Sequence, residues 1–228
     1  MANKLFVKTS SGTSAIKFYK KTSTGQTQCP VYIKTSTGQE RLDQTLVTKT
    51  KVFSGYCDWA GSFRNDSSSG TFTDDYSDER DGYVYQGKYG DYYHLGIIGF
   101  NSIFKQVREF DGTITKVTLK LKNLHTYSSA GIGTKICGAW SVPTTKPTSF
   151  SFDNVGSTSY SDVEEFDKGE TRTLTLKSTI YEKIKGGSFS GLRLLSATGF
   201  TLSDYGYFAG EGTSRPYIEI TVSYQEYE

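Results

Sequence analysis

Three stretches of the chain mix aromatic side chains with short polar ones in a way that suits sugar binding. Saccharides present CH-rich faces that pack on aromatic rings, while their hydroxyls bond to Asp, Asn, Arg and backbone groups. The candidate ligand-binding residues are Trp59, Tyr85, Tyr89, Asp91, Tyr92, Tyr93, His94, Tyr205 and Tyr207. The alternative for each stretch is packing, because tyrosine rings are often half buried in a β-sandwich or against another subunit.

An acid-rich segment offers weak candidates for a calcium site. Calcium is a hard ion that takes several carboxylate and carbonyl oxygens. The candidate ligands are Asp74, Asp75, Asp78 and Asp81. Their spacing differs from that of an EF-hand, so the alternative is a solvated loop that Arg80 partly balances.

Catalytic motifs are not evident in the sequence. His94 and His125 are the only histidines, and neither lies in a nucleophile elbow or a zinc-binding helix motif. We therefore expect no enzymatic activity and no cofactor. Cleavage of a polysaccharide by paired carboxylates stays open as an alternative, because the separation of two carboxylates is a spatial property.

Charge, length and cysteine content narrow the class of protein. The 228 residues carry 26 basic and 24 acidic side chains, so the net charge predicts neither nucleic-acid binding nor a general polyanion-binding surface. Neither a signal peptide nor a membrane-spanning run is evident, which predicts a protein made soluble in the cytosol. The three cysteines, Cys29, Cys57 and Cys137, are an odd number without repeated spacing, and we expect all three to be reduced.

The hydrophobic pattern predicts a mainly β protein whose strands are exposed to solvent on one face. Apolar and polar residues alternate in four runs, which are Val117–Leu121, Thr173–Leu176, Leu192–Leu194 and Ile218–Tyr224. One short helix is predicted from Ser178 to Gly186, which has a capping residue and a terminal glycine. The segments 57–83 and 139–167 lack a clear period and are predicted to be loops.

An internal repeat occupies the first 42 residues. The motif Lys-Thr-Ser-Ser/Thr-Gly begins at Lys8, Lys21 and Lys34, at a spacing of 13 residues. Each copy follows an extended apolar run, which is typical of short β-hairpins. A single hairpin is marginally stable, so the segment is predicted to be an attachment or assembly module.

The charge distribution separates this module from the rest of the chain. Residues 1–50 hold eight basic and two acidic side chains, a balance of +6, and the remainder holds 18 and 22, a balance of −4. We predict a hairpin-repeat module over 1–47 and an antiparallel jelly-roll β-sandwich over 48–228.

The order of elements in the second part resembles the carbohydrate-module-like jelly rolls of the DNRLRE kind. The resemblance covers about residues 52 to 226 and is carried by Tyr92–Asn101, Ile114–Lys122, Thr173–Leu176, Gly191–Leu194 and Arg215–Val222. The N-terminal repeats resemble the hairpin repeats at the start of bacteriophage tail-fibre and minor tail proteins.

Together these resemblances imply a phage tail protein that is made in the bacterial cytoplasm and resides in the virion. It would bind a host-surface polysaccharide, contact other tail proteins through residues 1–47 and form a homotrimer. It would neither bind nucleic acid nor insert into a membrane. The alternative is a purely structural tail component that bridges other virion proteins.

Overall fold

The fold is taken from a computed structural model of the chain, which describes residues 18–22, 25–29, 32–35, 38–41, 46–74 and 82–227. Contacts divide the chain into one unit of residues 1–48 and 225–228 and a second unit of residues 49–224. No helix in the described ranges is long and apolar enough to cross a bilayer.

Strands dominate both units. They are β1 (Phe18–Thr22), β2 (Gly25–Cys29), β3 (Tyr32–Thr35), β4 (Gly38–Arg41), β5 (Leu46–Tyr56), β6 (Trp59–Asn65), β7 (Thr71–Thr73), β8 (Tyr83–Tyr89), β9 (Tyr92–Gly99), β10 (Thr113–Thr126), β11 (Ile132–Ala139), β12 (Ser149–Ser151), β13 (Val155–Ser159), β14 (Glu164–Phe166), β15 (Thr171–Thr175), β16 (Gly191–Ser196), β17 (Gly206–Ala209) and β18 (Tyr217–Tyr227). Two short helices, α1 (Asn101–Glu109) and α2 (Tyr181–Lys185), accompany them.

Two antiparallel hairpins form from the repeats of the first unit. Strands β1 and β2 pair with Thr22 opposite Gly25, and β3 and β4 pair with Thr35 opposite Gly38. These last pairs belong to the motifs that begin at Lys21 and Lys34, and the hairpin prediction is confirmed for these two repeats. The first repeat, which begins at Lys8, lies outside the described residues.

The second unit is an antiparallel β-sandwich, as the alternation predicts. In one sheet, β10 pairs with β15 along one edge and β18 along the other. In the other sheet, β9 pairs with β6 along one edge and with β8 and β16 along the opposite edge. Strand β17 pairs with both β8 and β10, so it joins the two sheets at one corner.

A main core fills the space between the sheets. Leu119 of β10 and Ile218 of β18 belong to the same buried cluster as Ile98 of β9 and Leu192 of β16. Full burial of each such side chain stabilises the fold by about 1.5–3 kcal/mol. The alternating apolar residues therefore meet across the sandwich.

A second cluster covers the outer face of the β6–β9 sheet. Ile97 lies in this cluster while its neighbour Ile98 lies in the main core, because successive side chains of a strand point to opposite faces. Phe63 and Phe150 pack there, with ring centres 5.8 Å apart. Strand β9 is buried on both faces, which explains its nearly continuous apolar sequence.

Five strands lie in segments that the sequence predicted to be loops, and that prediction is wrong. Strand β6 is buried on both faces at its first five residues, so it shows no alternation. Strands β7, β12 and β14 have three residues each, and β13 has five. Runs this short carry too few positions to display a period.

The predicted helix is confirmed, and a further helix is present. Helix α2 follows a 3₁₀ turn at Ser178–Ile180. Helix α1, which the sequence did not predict, buries Ile103, Phe104 and Val107. Its first turn is capped from a distance, since the backbone N–H of Ser102 donates to Oδ2 of Asp58 at 2.9 Å.

Candidate functional site

An aromatic pocket lies at the corner where β17 joins the two sheets. It has a volume of about 570 Å³. Its lining consists of Tyr83, Tyr85, Tyr89, His125, Thr126, Tyr127, Tyr205 and Tyr207. We call this cavity the tyrosine pocket.

Strand periodicity places three of these rings side by side. Tyr83, Tyr85 and Tyr89 lie two or four residues apart on β8, so their side chains leave the same face of the strand. Gly87 occupies the intervening position on that face, and its φ of +85° is one that glycine adopts without strain. A Cβ at Gly87 would lie 2.9 Å from the carbonyl oxygens of Thr201 and Asp204, so the missing side chain lets the 201–205 segment approach.

Strand register brings the remaining rings to the pocket. Tyr207 of β17 lies opposite Tyr85 of β8 and also opposite His125 of β10. Its ring centre is 4.8 Å from that of Tyr85 and 5.1 Å from that of His125, with the His125 ring nearly parallel at 17°.

Close backbone approach at Gly206 makes this arrangement fit. A Cβ there would lie 2.5 Å from the carbonyl oxygen of His125 and 2.7 Å from Cδ1 of Ile132. Glycine is thus required next to Tyr207 for β17 to reach β10.

The rings form one connected series from floor to rim. Tyr85 and Tyr205 are buried at the floor, with stacked rings 5.9 Å apart. Tyr89 packs on Tyr205 at 4.9 Å and on Tyr127 at 5.9 Å. Tyr89 and Tyr127 are 50% and 53% exposed, so they offer their rings to a molecule arriving from solvent.

The polar groups of the tyrosine pocket are hydroxyls and one imidazole. Phenolic and threonine hydroxyls both donate and accept hydrogen bonds, and an imidazole can do the same through its two nitrogens. Among the described lining residues there is no carboxylate, lysine or arginine. The chemistry of the pocket is therefore apolar stacking combined with neutral hydrogen bonding.

Four of the predicted ligand-binding residues line this pocket, namely Tyr85, Tyr89, Tyr205 and Tyr207. His94 lies beneath it, buried on β9, with its ring 5.6 Å from Tyr85 and 5.2 Å from Tyr205. It supports the floor of the pocket. Four lining residues, Tyr83, His125, Thr126 and Tyr127, were not among the candidate ligand-binding residues. Tyr83 shares a face of β8 with Tyr85, whereas His125 comes to the pocket through strand register.

Three other candidates lie outside the lining. Asp91 is exposed in the Gly90–Asp91 turn that joins β8 to β9. Tyr92 is 44% exposed, and the guanidinium of Arg64 lies 4.5 Å from its ring centre. Tyr93 packs edge-on against Phe200 at 5.1 Å.

Trp59, the remaining candidate ligand-binding residue, is buried in the structure. Its side chain is 9% exposed and belongs to the second apolar cluster. The indole Nε1 donates to the carbonyl oxygen of Pro143 at 2.8 Å, and the ring packs against Phe63. A large ring with its one donor satisfied is stable in a core, so Trp59 has a packing role.

The weak calcium candidates gain no supporting geometry. The carboxylate of Asp74 is 2.8 Å from Nζ of Lys146, so a lysine already neutralises it. Asp75, Asp78 and Asp81 lie outside the described residues. Within the described ranges, no group of three or more His, Cys, Asp or Glu side chains is arranged to hold a metal ion.

Two cysteines are buried free thiols. Desolvation raises the pKa of Cys57 to about 12 and also raises the pKa of Cys137. A protonated thiol is a poor nucleophile and a poor metal ligand. The side chain of Cys29 lies outside the described part of the chain.

Comparison with protein-family models finds no match, and comparison with curated protein sequences finds none either. The resemblances to DNRLRE-like jelly rolls and to phage tail proteins therefore stay predictions from the sequence.

Proposed function

We propose that the protein is a receptor-binding component of a phage tail and that the tyrosine pocket binds a saccharide of the host surface. The observation that carries the binding proposal is the pocket itself, in which six tyrosines, a histidine and a threonine meet in about 570 Å³. The phage context comes from the sequence resemblance alone.

The physical match is between a sugar ring and the rim of the pocket. Tyr89 and Tyr127 expose about half of their side chains, and the CH-rich face of a pyranose gains favourable contact when it covers such rings. Phenolic hydroxyls and the imidazole of His125 can then exchange hydrogen bonds with sugar hydroxyls. Because the lining is neutral, a neutral sugar unit fits it best.

A single site of this kind binds weakly. Hydroxyl groups that leave water gain little net free energy when they bond to protein instead. Several copies held on one particle would raise the effective affinity through high local concentration. The predicted assembly module at residues 1–47 supplies a means of presenting several copies.

A glycan-binding experiment tests this function. The purified chain is screened on an array of bacterial surface glycans, and the affinity for the glycans that bind is measured by calorimetry. Tyr127→Ala removes an exposed ring of the rim and should weaken binding about tenfold. Tyr127→Phe keeps the ring, so it separates stacking from hydrogen bonding.

Tyr92→Ala is the matched control. Tyr92 is a similarly exposed tyrosine, at 44% against 53% for Tyr127, but it does not line the pocket, so this variant should bind as the parent does. Equal loss in Tyr92→Ala and Tyr127→Ala would contradict the assignment of the pocket.

The alternatives predict different results. A structural tail component that only bridges virion proteins would bind none of the array glycans and would not compete with phage adsorption. A polysaccharide-degrading enzyme would release reducing ends from a bound glycan. Binding without product, lost in Tyr127→Ala, is the result that supports the proposed function.

A further inference from the structure

The outer face of the β15–β10–β18 sheet carries a row of lysines that the main core and the tyrosine pocket do not use. Lys116, Lys120 and Lys122 lie at alternate positions of β10, on the face opposite to Val117, Leu119 and Leu121. Alternate residues of a strand share a face. At about 3.3 Å per residue, the row extends about 20 Å along the strand.

Hydroxyl side chains flank these lysines on both neighbouring strands. Lys122 lies opposite Thr171 and Lys120 opposite Thr173 on β15. On the other side, Lys116 lies opposite Thr221 of β18. The side chains of Thr171, Thr173 and Thr221 thus place hydroxyl groups, which donate and accept hydrogen bonds, beside the lysines.

Three adjoining depressions follow this row. Their volumes are about 150, 140 and 230 Å³. The first and second share Lys120, and the second and third share Thr118, Thr173 and Glu219. Because neighbours share lining residues, the three depressions adjoin one another along β10, and we call them together the lysine groove.

The lysine groove is positively charged. Of the described residues that line it, three are lysines and one, Glu219, is acidic. Within the described part of the chain, none of the three ammonium groups forms an ion pair. Nζ of Lys120 lies 5.6 Å from the ring centre of Tyr217, a contact that leaves the charge open to an anion.

We propose that the lysine groove binds an acidic polysaccharide, with the polymer lying along β10. Ammonium groups in a row match the repeated anionic groups of such a polymer, and threonine hydroxyls match its sugar hydroxyls. A single-stranded nucleic acid would call for a series of stacking rings and arginines, whereas the groove has one ring, Tyr217, and no arginine in its described lining.

This surface is distinct from the tyrosine pocket, with which it shares no lining residue. The inference therefore does not rest on the saccharide function proposed for that pocket. It also qualifies the conclusion from net charge, because a total of +2 averages over a local concentration of lysines.

The test measures binding of the full chain to polygalacturonate and dextran sulfate, with uncharged dextran for comparison. The triple variant Lys116→Gln, Lys120→Gln, Lys122→Gln should bind both acidic polymers at least about tenfold more weakly, since each exposed charge pair contributes modestly. Binding by the parent chain should also weaken as salt is raised.

A second triple variant controls for total charge. Lys105→Gln, Lys135→Gln, Lys183→Gln removes the same charge from α1, β11 and α2, and it should bind as the parent does. Tyr127→Ala should also leave binding of the acidic polymers unchanged, which separates this proposal from that of the tyrosine pocket. Circular dichroism checks the fold; if the groove triple is unfolded, Lys120→Gln alone is compared.

Several results would overturn the proposal. These are failure of the parent chain to bind either acidic polymer, equal binding to dextran, equal loss in the two triple variants, and no loss in a folded groove variant. Tighter binding of an oligothymidylate than of both acidic polymers would overturn it in favour of nucleic acid.

Discussion

The guanidinium carbon of Arg193 lies 4.8 Å from the centre of the Phe152 ring. Arg193 is 2% exposed, and its Nη1 donates to the carbonyl oxygen of Gly156 at 3.2 Å. No carboxylate in the described part of the chain pairs with it. Desolvation accordingly lowers the pKa of Arg193 to about 10, which shows that burial disfavours its charged form.

This environment predicts opposite results for two substitutions of Arg193. Arg193→Met keeps an unbranched apolar stem and removes the buried charge, so it should leave the free energy of unfolding unchanged or raise it by about 1–2 kcal/mol. Arg193→Ala also leaves a cavity and should lower it by about 2–4 kcal/mol. Urea unfolding at neutral pH measures both. Equal losses in the two variants would show that the charge itself stabilises the fold.

Trp59 is expected to act on stability. Trp59→Ala should lower the free energy of unfolding by about 3–5 kcal/mol because it empties a core position. Trp59→Phe keeps most of the packing but loses the hydrogen bond to Pro143, a loss of about 1 kcal/mol. Guanidinium unfolding measures both values. If Trp59→Ala kept the stability of the parent chain but no longer bound glycans, Trp59 would be a ligand-binding residue and not a core residue.

Gly206 is expected to be essential to the tyrosine pocket. Gly206→Ala places a methyl group against the backbone of His125 and should destabilise the fold by about 1–3 kcal/mol. It should also weaken glycan binding, since Tyr207 moves away from His125. Thermal unfolding and calorimetry test the two effects. Gly156→Ala is the control, because its Cβ would meet its nearest neighbour at an ordinary 3.6 Å.

The buried thiol of Cys57 should make the fold less stable in mild alkali. Its pKa rises from 9.0 to about 12 on folding, so between these values the unfolded chain loses a proton that the folded chain keeps. Stability from this thiol is complete below pH 9.0 and falls as pH rises. Between about pH 8 and about pH 10 the loss should be about 1.4 kcal/mol.

The difference between the parent chain and Cys57→Ala isolates this effect, because the two proteins differ only at this thiol. The free energy of unfolding of Cys57→Ala should change less with pH by the stated amount. Parallel pH profiles for the two proteins would contradict the prediction.

Local sequence patterns were sufficient where an element carries its own signal. Strands β10 and β18 alternate apolar and polar residues over Val117–Leu121 and Ile218–Tyr224, because one face of each strand meets the core and the other faces solvent. The sequence did not predict helix α1 because Phe100, which lies at its N-cap position, has a side chain that cannot cap the helix. The cap comes from Asp58, which lies 44 residues before Ser102, and a local pattern cannot contain such a distant contact.

The candidate site was predictable in residue type and only partly in membership. Clusters of tyrosine and polar residues indicated Tyr85 and Tyr207 as candidates in two separate stretches, and the pairing of β17 with β8 makes them neighbours. Tyr127 and His125 join them only because β17 pairs with β8 and β10 at once. Conversely, the sequence around Trp59 looks like that of a sugar-binding turn, and burial of the ring depends on Phe150 and other residues far along the chain.

Strand β17, which links the two sheets behind the rings, has a further consequence for recognition. Backbone hydrogen bonds fix the spacing of Tyr85, Tyr207 and His125, so this part of the surface is preorganised before any ligand arrives. Under the proposed function, a saccharide would bind with little loss of protein entropy, and a rigid template would determine the selectivity. Ligands whose shape departs from that template would be rejected, since the surface cannot adapt to them.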